Sequence, residues 1–206
     1  MLFRSLGSGV QASAHLAAMR AVRPLRRVRV CSKSHDQALA FARHHQRELA
    51  IPIEPVASAR LAVDGADLIC TATSSREPVL FGAWLAPGAH VNAVGACFPA
   101  CRELDSAAVA RSRLYVDRRE SALAESGDFL IPRAEGLIGD DHILGELGEV
   151  VLGRLPGRRS RDEVTLFKSL GIAIEDLAAA HLILERARAQ GKGIAVDFGG
   201  YRVAHD

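Results

Sequence analysis

The sequence has no run of about 18 consecutive apolar residues, the length a membrane-crossing helix needs, so no membrane span is expected. It also lacks a strong charge of either sign. A net charge of +2 over 206 residues is too small to draw in nucleic acid or an anionic membrane, and neither is expected as a partner. Cysteine is scarce, confined to Cys31, Cys70, Cys97 and Cys101. The first two sit in apolar runs, as small buried hydrophobes do. Cys97 and Cys101 are spaced C-x3-C with no histidine pattern beside them, so no metal site is expected. Reduced thiols in a cytoplasmic protein fit this usage. No acidic residue precedes Asp36, and Arg4, Ser5, Ser8 and Arg20 give the opening a composition like that of a mitochondrial transit peptide. The glycine spacing of the same stretch favours a folded turn instead. Internal repeats and low-complexity segments are absent.

What is present is the composition of a globular protein with a core: 49% hydrophobic residues and 24% charged. Arginines cluster at Arg23, Arg26, Arg27 and Arg29, and again at Arg154, Arg158, Arg159 and Arg161, where solvated loops and helix ends are the expected setting.

Strand and helix signals alternate along the chain. "RRVRVC" (26–31), "ADLICTAT" (66–73), "AHVNAVG" (89–95) and "RLYVD" (113–117) are strand candidates, with "IPIEPV" a weak one fit only for a sheet edge. Helical segments separate them. "SHDQALAFARHHQREL" has Ser34 and Gln37 at capping-box spacing and Ala38, Phe41 and Ala42 on one face. "SARLAVDG", "RELDSAAVARS" and "ESALAES" supply shorter pieces. This order predicts βαβ units: an α/β protein with a doubly wound, Rossmann-type, mostly parallel sheet. The last third is expected to hold a helix in "DDHILGELGEVVLGRLPG" (140–157) that stops at Gly153 and Pro156, a strand in "EVTLFKSLG", and a long amphipathic helix from 172. That helix carries Ile174, Leu177, Ala178 and Leu182 on one stripe and Gly191 as its C-cap. The tail "IAVDFGGYRVAHD" is left as a strand or trailing chain.

Gly7-Ser8-Gly9-Val10-Gln11-Ala12 fits G-x-G-x-x-A. In such a turn the first glycine allows a tight bend and the second lets the backbone approach a pyrophosphate; the small third residue packs helix against sheet. Val10, Ala14, Ala17 and Ala21 then mark a helix whose N-terminal amides face the phosphates. The strand that should precede the turn is poor. "MLFRSL" offers three apolar residues with Arg4 among them, and a truncated first strand is expected. The second strand ends Cys31-Ser32-Lys33-Ser34, two hydroxyls about a cation where NAD-selective folds place an acid. NADP(H) is therefore the expected cofactor, with NAD(H) the alternative.

Several longer stretches are more specific than the glycine turn. They are "GSGVQA", "TATSSREPVLFGAWLAPGAHVNAVGACFPACRELD" (71–105), "YVDRRESALAESGDFLIP" (115–132), "ELGEVVLGRLPGR" (146–158) and "TLFKSLGIAIEDLAAA" (165–180). In this order, from Gly7 to about Gln190, the chain resembles the ornithine cyclodeaminase/mu-crystallin family. The resemblance implies an NAD(P)H-dependent reductase of cyclic imino acids, acting on C=N groups of small imino or amino acid substrates. Ornithine cyclodeamination and non-catalytic NADPH binding are its alternatives.

It also implies roles at matched positions. Gly7, Ser8, Gly9, Val10 and Gln11 would line the pyrophosphate, and Ser32, Lys33, Ser34 and Gln37 the adenosine phosphate. Thr73 and Ser74 would flank the cofactor. Val94, Gly95, Ala96, Ser169 and Leu170 would approach the nicotinamide. Glu125, and after it Asp128, would face the substrate nitrogen as catalytic acids. Cys97 stands where the cyclodeaminases carry an aspartate, which argues for plain reduction. Asn92 is read as a polar residue near a strand end, by the cofactor or capping the next helix. The family has a further N-terminal region that holds the substrate carboxylate and forms the homodimer; none of it is recognisable here. On this reading 1–170 is the dinucleotide-binding domain, and 171–206 a helix and tail that return to that region.

Overall fold

The structure, a computed structural model, describes residues 1–196; the greater part of the "IAVDFGGYRVAHD" tail, from residue 197, lies outside them. Parallel strands buried on both faces read as short apolar runs, and such runs form the framework here. The elements in order are β1 (Leu2–Leu6), α1 (Val10–Val22), β2 (Arg27–Cys31), α2 (His35–Leu49), β3 (Ile53–Pro55), α3 (Ala59–Val63) and β4 (Leu68–Thr71). They continue with β5 (His90–Ala93), α4 (Ser106–Ala110), β6 (Arg113–Val116), α5 (Arg119–Glu125), α6 (Gly127–Ala134), β7 (Ile143–Glu146), α7 (Leu147–Val151), β8 (Thr165–Lys168) and α8 (Ala173–Ala189). The eight strands form one sheet in the order β3-β2-β1-β4-β5-β8-β6-β7, and every pairing is parallel. Strand β3, which ends in Pro55 and follows Pro52, lies at an edge, where a missing amide costs least.

Side chains alternate across the sheet and feed two cores. Phe3, Val28, Val30, Leu68 and Cys70 pack with Leu16, Ala38, Phe41 and Ala42 of α1 and α2. Leu6, Ile69, Val91, Val116 and Leu166 pack with Ala62, Ala108, Ala122 and Phe129 on the other face. Helices therefore cover both sides of the sheet, as the alternating sequence implies.

Three segments depart from the sequence reading. The poor opening strand is a complete one: β1 sits centrally, paired with both β2 and β4. Arg4 is accommodated with only 2% of its surface exposed, its Nη1 donating to Phe3 O and its Nη2 to Asp64 O. In α1 the inward residues are Ala12, Leu16 and, partly, Met19, while Val10, Ala14, Ala17 and Ala21 face outward. The helix expected in 140–157 is instead β7 followed by the short α7. There Ile143 and Gly145 are buried against the sheet, and β6 supplies a strand to pair with. Period-two burial of this kind wins over helical spacing when a free sheet edge is available. The strand expected in "EVTLFKSLG" forms as β8 and inserts between β5 and β6.

The chain divides into two compact units, Met1–Leu170 and Gly171–Asp206. In the second, α8 ends as expected at Gly191. With Gly191 at φ +61°, its N–H reaches Arg188 O at 3.2 Å and the Lys192 N–H reaches Ala187 O at 2.8 Å, the paired bonds of a Schellman cap. None of its residues is buried, and Ile174, Leu177 and Leu182 are exposed.

Candidate functional site

Strand register decides where a ligand can lie. Cys31, Leu6, Thr71, Ala93, Lys168, Val116 and Glu146 stand side by side as one row at the carboxyl edge of the sheet. The residues one and two places beyond this row are Ser32 and Lys33, Gly7 and Ser8, Ala72 and Thr73, Val94 and Gly95, and Ser169 and Leu170. More than half of the expected cofactor residues thus fall within two places of one edge. The strand order also reverses there, running outward from β1 through β2 to β3 and the other way from β4. Such a switch point is where open α/β sheets hold their ligands.

The glycine turn is built as its spacing predicts. Gly7 has φ +110°, and a Cβ on it would lie 2.3 Å from Ala72 O, so the turn is pressed against the end of β4. Gly9 is different: it precedes α1 in extended conformation, and a Cβ there would meet no protein atom within 4 Å. No side chain caps α1, which leaves its first amides and the positive end of the helix dipole turned toward that space. Val10 and Gln11 in this first turn are exposed. Ser8 Oγ donates to Ser32 Oγ at 3.0 Å, joining the first turn to the end of β2. Beside them Lys33 is exposed and makes no ion pair among the described residues. Ser34 Oγ accepts from the Gln37 N–H at 3.4 Å and so caps α2, with Gln37 exposed in the helix's first turn.

The other half of the edge is organised by a carboxylate that the sequence does not single out. Glu103 is fully buried. Its Oε1 accepts from the Thr73 N–H at 2.6 Å, while its Oε2 accepts from Thr71 Oγ1 and the Gly95 N–H, both at 2.7 Å. Gly95 lies so close that a Cβ would be 2.1 Å from Thr73 O. Ser74 is exposed beside Thr73, and Ala96 is buried beneath the β5 loop. Ser169 and Leu170 are held by Asp117, whose Oδ2 accepts from the Leu170 N–H at 2.6 Å and from Ser169 Oγ at 3.4 Å.

The two expected acids separate. Glu125 is exposed at the last residue of α5. It lies two residues before Gly127, whose backbone packs against the carbonyls of Phe98, Pro99 and Cys101. Asp128 is instead interior, 2% exposed. Its Oδ1 accepts from the Glu103 and Leu104 amides at 2.8 and 3.0 Å, and its Oδ2 lies 3.2 Å from Lys168 Nζ, itself 1% exposed. So enclosed, the Asp128 carboxylate is taken up by the Glu103 and Leu104 amides and the Lys168 ammonium. Asn92 caps no helix, since it is buried within β5 with Oδ1 3.2 Å from His90 Nε2.

The thiols are free. Burial, with the nearby Glu103 charge, pushes Cys70 up to about 12, and burial raises Cys31 as well. Cys97 is half-buried, its Sγ 3.5 Å from Val94 O. Among the described residues His44, His45 and Glu48 of α2 bring ligand-type atoms within 4.8 Å of one another, on a segment apart from the carboxyl edge. His45 Nε2 is 2.8 Å from Ser13 Oγ, which ties α2 to α1. No helix among the described residues is long and apolar enough to cross a membrane.

The model of the ornithine cyclodeaminase/mu-crystallin family matches residues 2–191. The chain belongs to this family. It is 43% identical over 180 residues to the ketimine reductase mu-crystallin of Mus musculus, covering 87% of this chain and 53% of that protein. It is 38% identical over 194 residues to the Δ1-pyrroline-2-carboxylate reductase of Bacillus cereus, covering 94% of this chain and 59% of that one. Among solved structures, the Δ1-pyrroline-2-carboxylate reductase of Thermococcus litoralis, in complex with NADH and L-proline, superimposes with a TM-score of 0.91 at 42% identity. That match covers 95% of this chain and 60% of the other. The chain thus spans a little over half the length of the family members it matches.

Proposed function

We propose that this chain forms the dinucleotide-binding part of an NAD(P)H-dependent reductase of cyclic imino acids, and that NADP(H) is its preferred cofactor. One observation carries the reading: an uncapped helix N-terminus opens onto the space above Gly9 at the switch point of a parallel sheet. The residues present fit a dinucleotide. Gly9, Val10 and Gln11 offer backbone amides to the pyrophosphate. Ser8, Ser32, Lys33 and Ser34 offer hydroxyls and a positive charge to a 2′-phosphate. Thr73, Ser74, Val94, Gly95, Ala96, Ser169 and Leu170 border the nicotinamide half.

When bound, the reduced nicotinamide supplies the hydride that turns C=N into CH–NH. The chain's own part is to hold and orient that ring. Glu125, the exposed acid of the pair, is the group we assign to the imine nitrogen, where it holds the proton the product amine takes up. Reduction is favoured over ornithine cyclodeamination because the family resemblance sets Cys97 where the cyclodeaminases carry an aspartate. The reductase activities of the relatives named above support the same choice. We place the protein in the cytoplasm, acting as a homodimer on small imino or amino acids.

Titration with NADPH and NADH, followed by nicotinamide fluorescence, tests the cofactor assignment. Lys33→Glu should weaken NADPH by about tenfold or more and NADH by much less, because a phosphate–lysine contact is charge-assisted. Equal losses would defeat the NADP(H) preference. Oxidation of the bound cofactor by pyrroline-2-carboxylate establishes the reductase; tight binding with no oxidation favours the non-catalytic NADPH-binding alternative.

A further inference from the structure

We infer that Glu103 is a positioning residue that sets the nicotinamide half of the crevice without touching the cofactor. The inference rests on the dinucleotide reading above. Its basis is the fully buried Glu103 carboxylate, which takes N–H bonds from the loops that follow the neighbouring strands β4 and β5. Oε1 holds Thr73 in the loop after β4; Oε2 holds Gly95 in the loop after β5 and Thr71 at the end of β4. Gly95 is pressed on Thr73 so closely that only a residue without a Cβ fits.

The carboxylate is itself pinned. The backbone N–H of Glu103 donates to Asp128 Oδ1 at 2.8 Å, and its carbonyl accepts from the amides of Val79 and Leu80 at 2.8 and 2.9 Å. Asp128 in turn lies 3.2 Å from Lys168, the last residue of β8. A buried series of contacts therefore runs from Lys168 through Asp128 to the Glu103 backbone N–H, and from the Glu103 carboxylate to the Thr71 hydroxyl and the loops after β4 and β5. The glycine turn and the end of β2, which face the adenosine diphosphate half, take no part in it.

The chemistry of the side chain makes this testable. All three donors point at oxygen, so a carboxylate satisfies them and an amide does not. In Glu103→Gln the NH2 group must face an amide N–H, that of Thr73 or of Gly95, whichever way it turns. Glu103→Asp keeps the charge but is one methylene shorter and cannot reach both loops. The ligands to compare are NADH and ADP-ribose, which shares the adenosine diphosphate half and lacks nicotinamide. Both variants should lose about tenfold in NADH affinity and less than about twofold in ADP-ribose affinity. In the nucleotide-free protein, hydrogen exchange at the Thr73 and Gly95 amides should be slow in the wild type and fast in Glu103→Gln.

Equal weakening of both ligands, or of neither, overturns the positioning role, since general damage does not choose between halves. Rapid exchange of both amides in the wild type overturns it without touching the dinucleotide reading. Slow exchange in a wild type that binds neither NADH nor ADP-ribose defeats that reading, and the positioning role falls with it. If the Glu103 variants do not fold, Thr71→Val removes one donor alone. It should cost about threefold in NADH and nothing in ADP-ribose, and an unchanged NADH affinity would overturn the inference.

Discussion

Replacing Arg4 with leucine should make this protein more stable. Arg4 lies in the central strand β1, in register with Arg29 of β2 on the same face of the sheet. Of the two carboxylates whose charge acts on it, Asp67 accepts from the Leu2 N–H at 2.6 Å and Glu54 is already shared by Arg27 and Arg29 at 3.0 and 3.1 Å. Arg4 is left with two carbonyls, one of them at 3.5 Å, and a buried Nε without a partner among the described residues. Burial first, then the like charges of Arg29 and Arg27, pull its pKa from 12.5 down to about 10. At about 1.36 kcal/mol for each pH unit, that depression represents on the order of 3 kcal/mol against the charged form.

Leucine removes this cost and adds apolar contact in a core that already holds Leu6 and Ile69. It gives up two hydrogen bonds worth about 1 kcal/mol each. The net gain should be about 1–2 kcal/mol, read as a higher urea midpoint with unchanged slope at pH 7. The pH dependence is a second check. A base whose folded pKa lies below its unfolded one is penalised fully below about 10, and the penalty fades as pH rises past that value. The advantage of Arg4→Leu should therefore shrink at high pH. A variant less stable than wild type by about 1 kcal/mol would refute the reasoning. It would mean that Arg4 is a needed cap for the carbonyl end of α3.

Further outcomes follow from the same geometry. Gly9→Val should leave the urea midpoint almost unchanged, because the space beside Gly9 is free of protein, and should lower NADH affinity by more than about tenfold. Unaltered affinity would place the pyrophosphate elsewhere. Gly95→Ala, whose Cβ would meet Thr73 O at 2.1 Å, should cost about 2–4 kcal/mol in thermal or urea unfolding, and a neutral effect would contradict the packing. Lys168→Met leaves Asp128 buried and charged, which should cost about 3–5 kcal/mol. The double variant with Asp128→Asn should recover part of the loss, and no recovery would show that the two groups are not coupled. His90 and His45 have folded pKa values lowered chiefly by burial, so the unfolded chain takes up their protons first. Stability should fall as pH drops through about 6.5 and be flat just above it; a urea midpoint no lower at pH 5.5 than at 7.5 would count against this.

Much of the cofactor edge was legible because it is local. Gly7, Gly9 and the Ser32-Lys33-Ser34 end of β2 lie next to strands that announce themselves by short apolar runs, and register does the rest. The resemblance to a family supplied the positions beyond Thr73. What the sequence hid depends on contacts distant in the chain. Glu103 stands in "RELD", which reads as a charged lead into a helix. Only the fold brings it to Thr71 and Thr73, some thirty residues earlier. Asp128 looked like a reactive acid until Lys168 closed over it. Arg4 argued against a buried strand by the usual cost of desolvating a guanidinium, a cost the structure bears without removing it. The face of α1 was misread because alanine lies on both sides of that helix, so periodicity alone could not choose between them. The segment at β7 shows the same limit: its spacing suits a helix, and a free sheet edge overrides it.

The central claim is that a pyridine dinucleotide lies across the ends of β1 and β4. It is tested most directly by recording amide chemical shifts of the labelled protein while NADPH is added. The account predicts large shifts at Gly9, Val10, Gln11, Ser32, Lys33 and Gly95, saturating together at one equivalent. Shifts confined to another face of the sheet, or no saturable change at all, would contradict it.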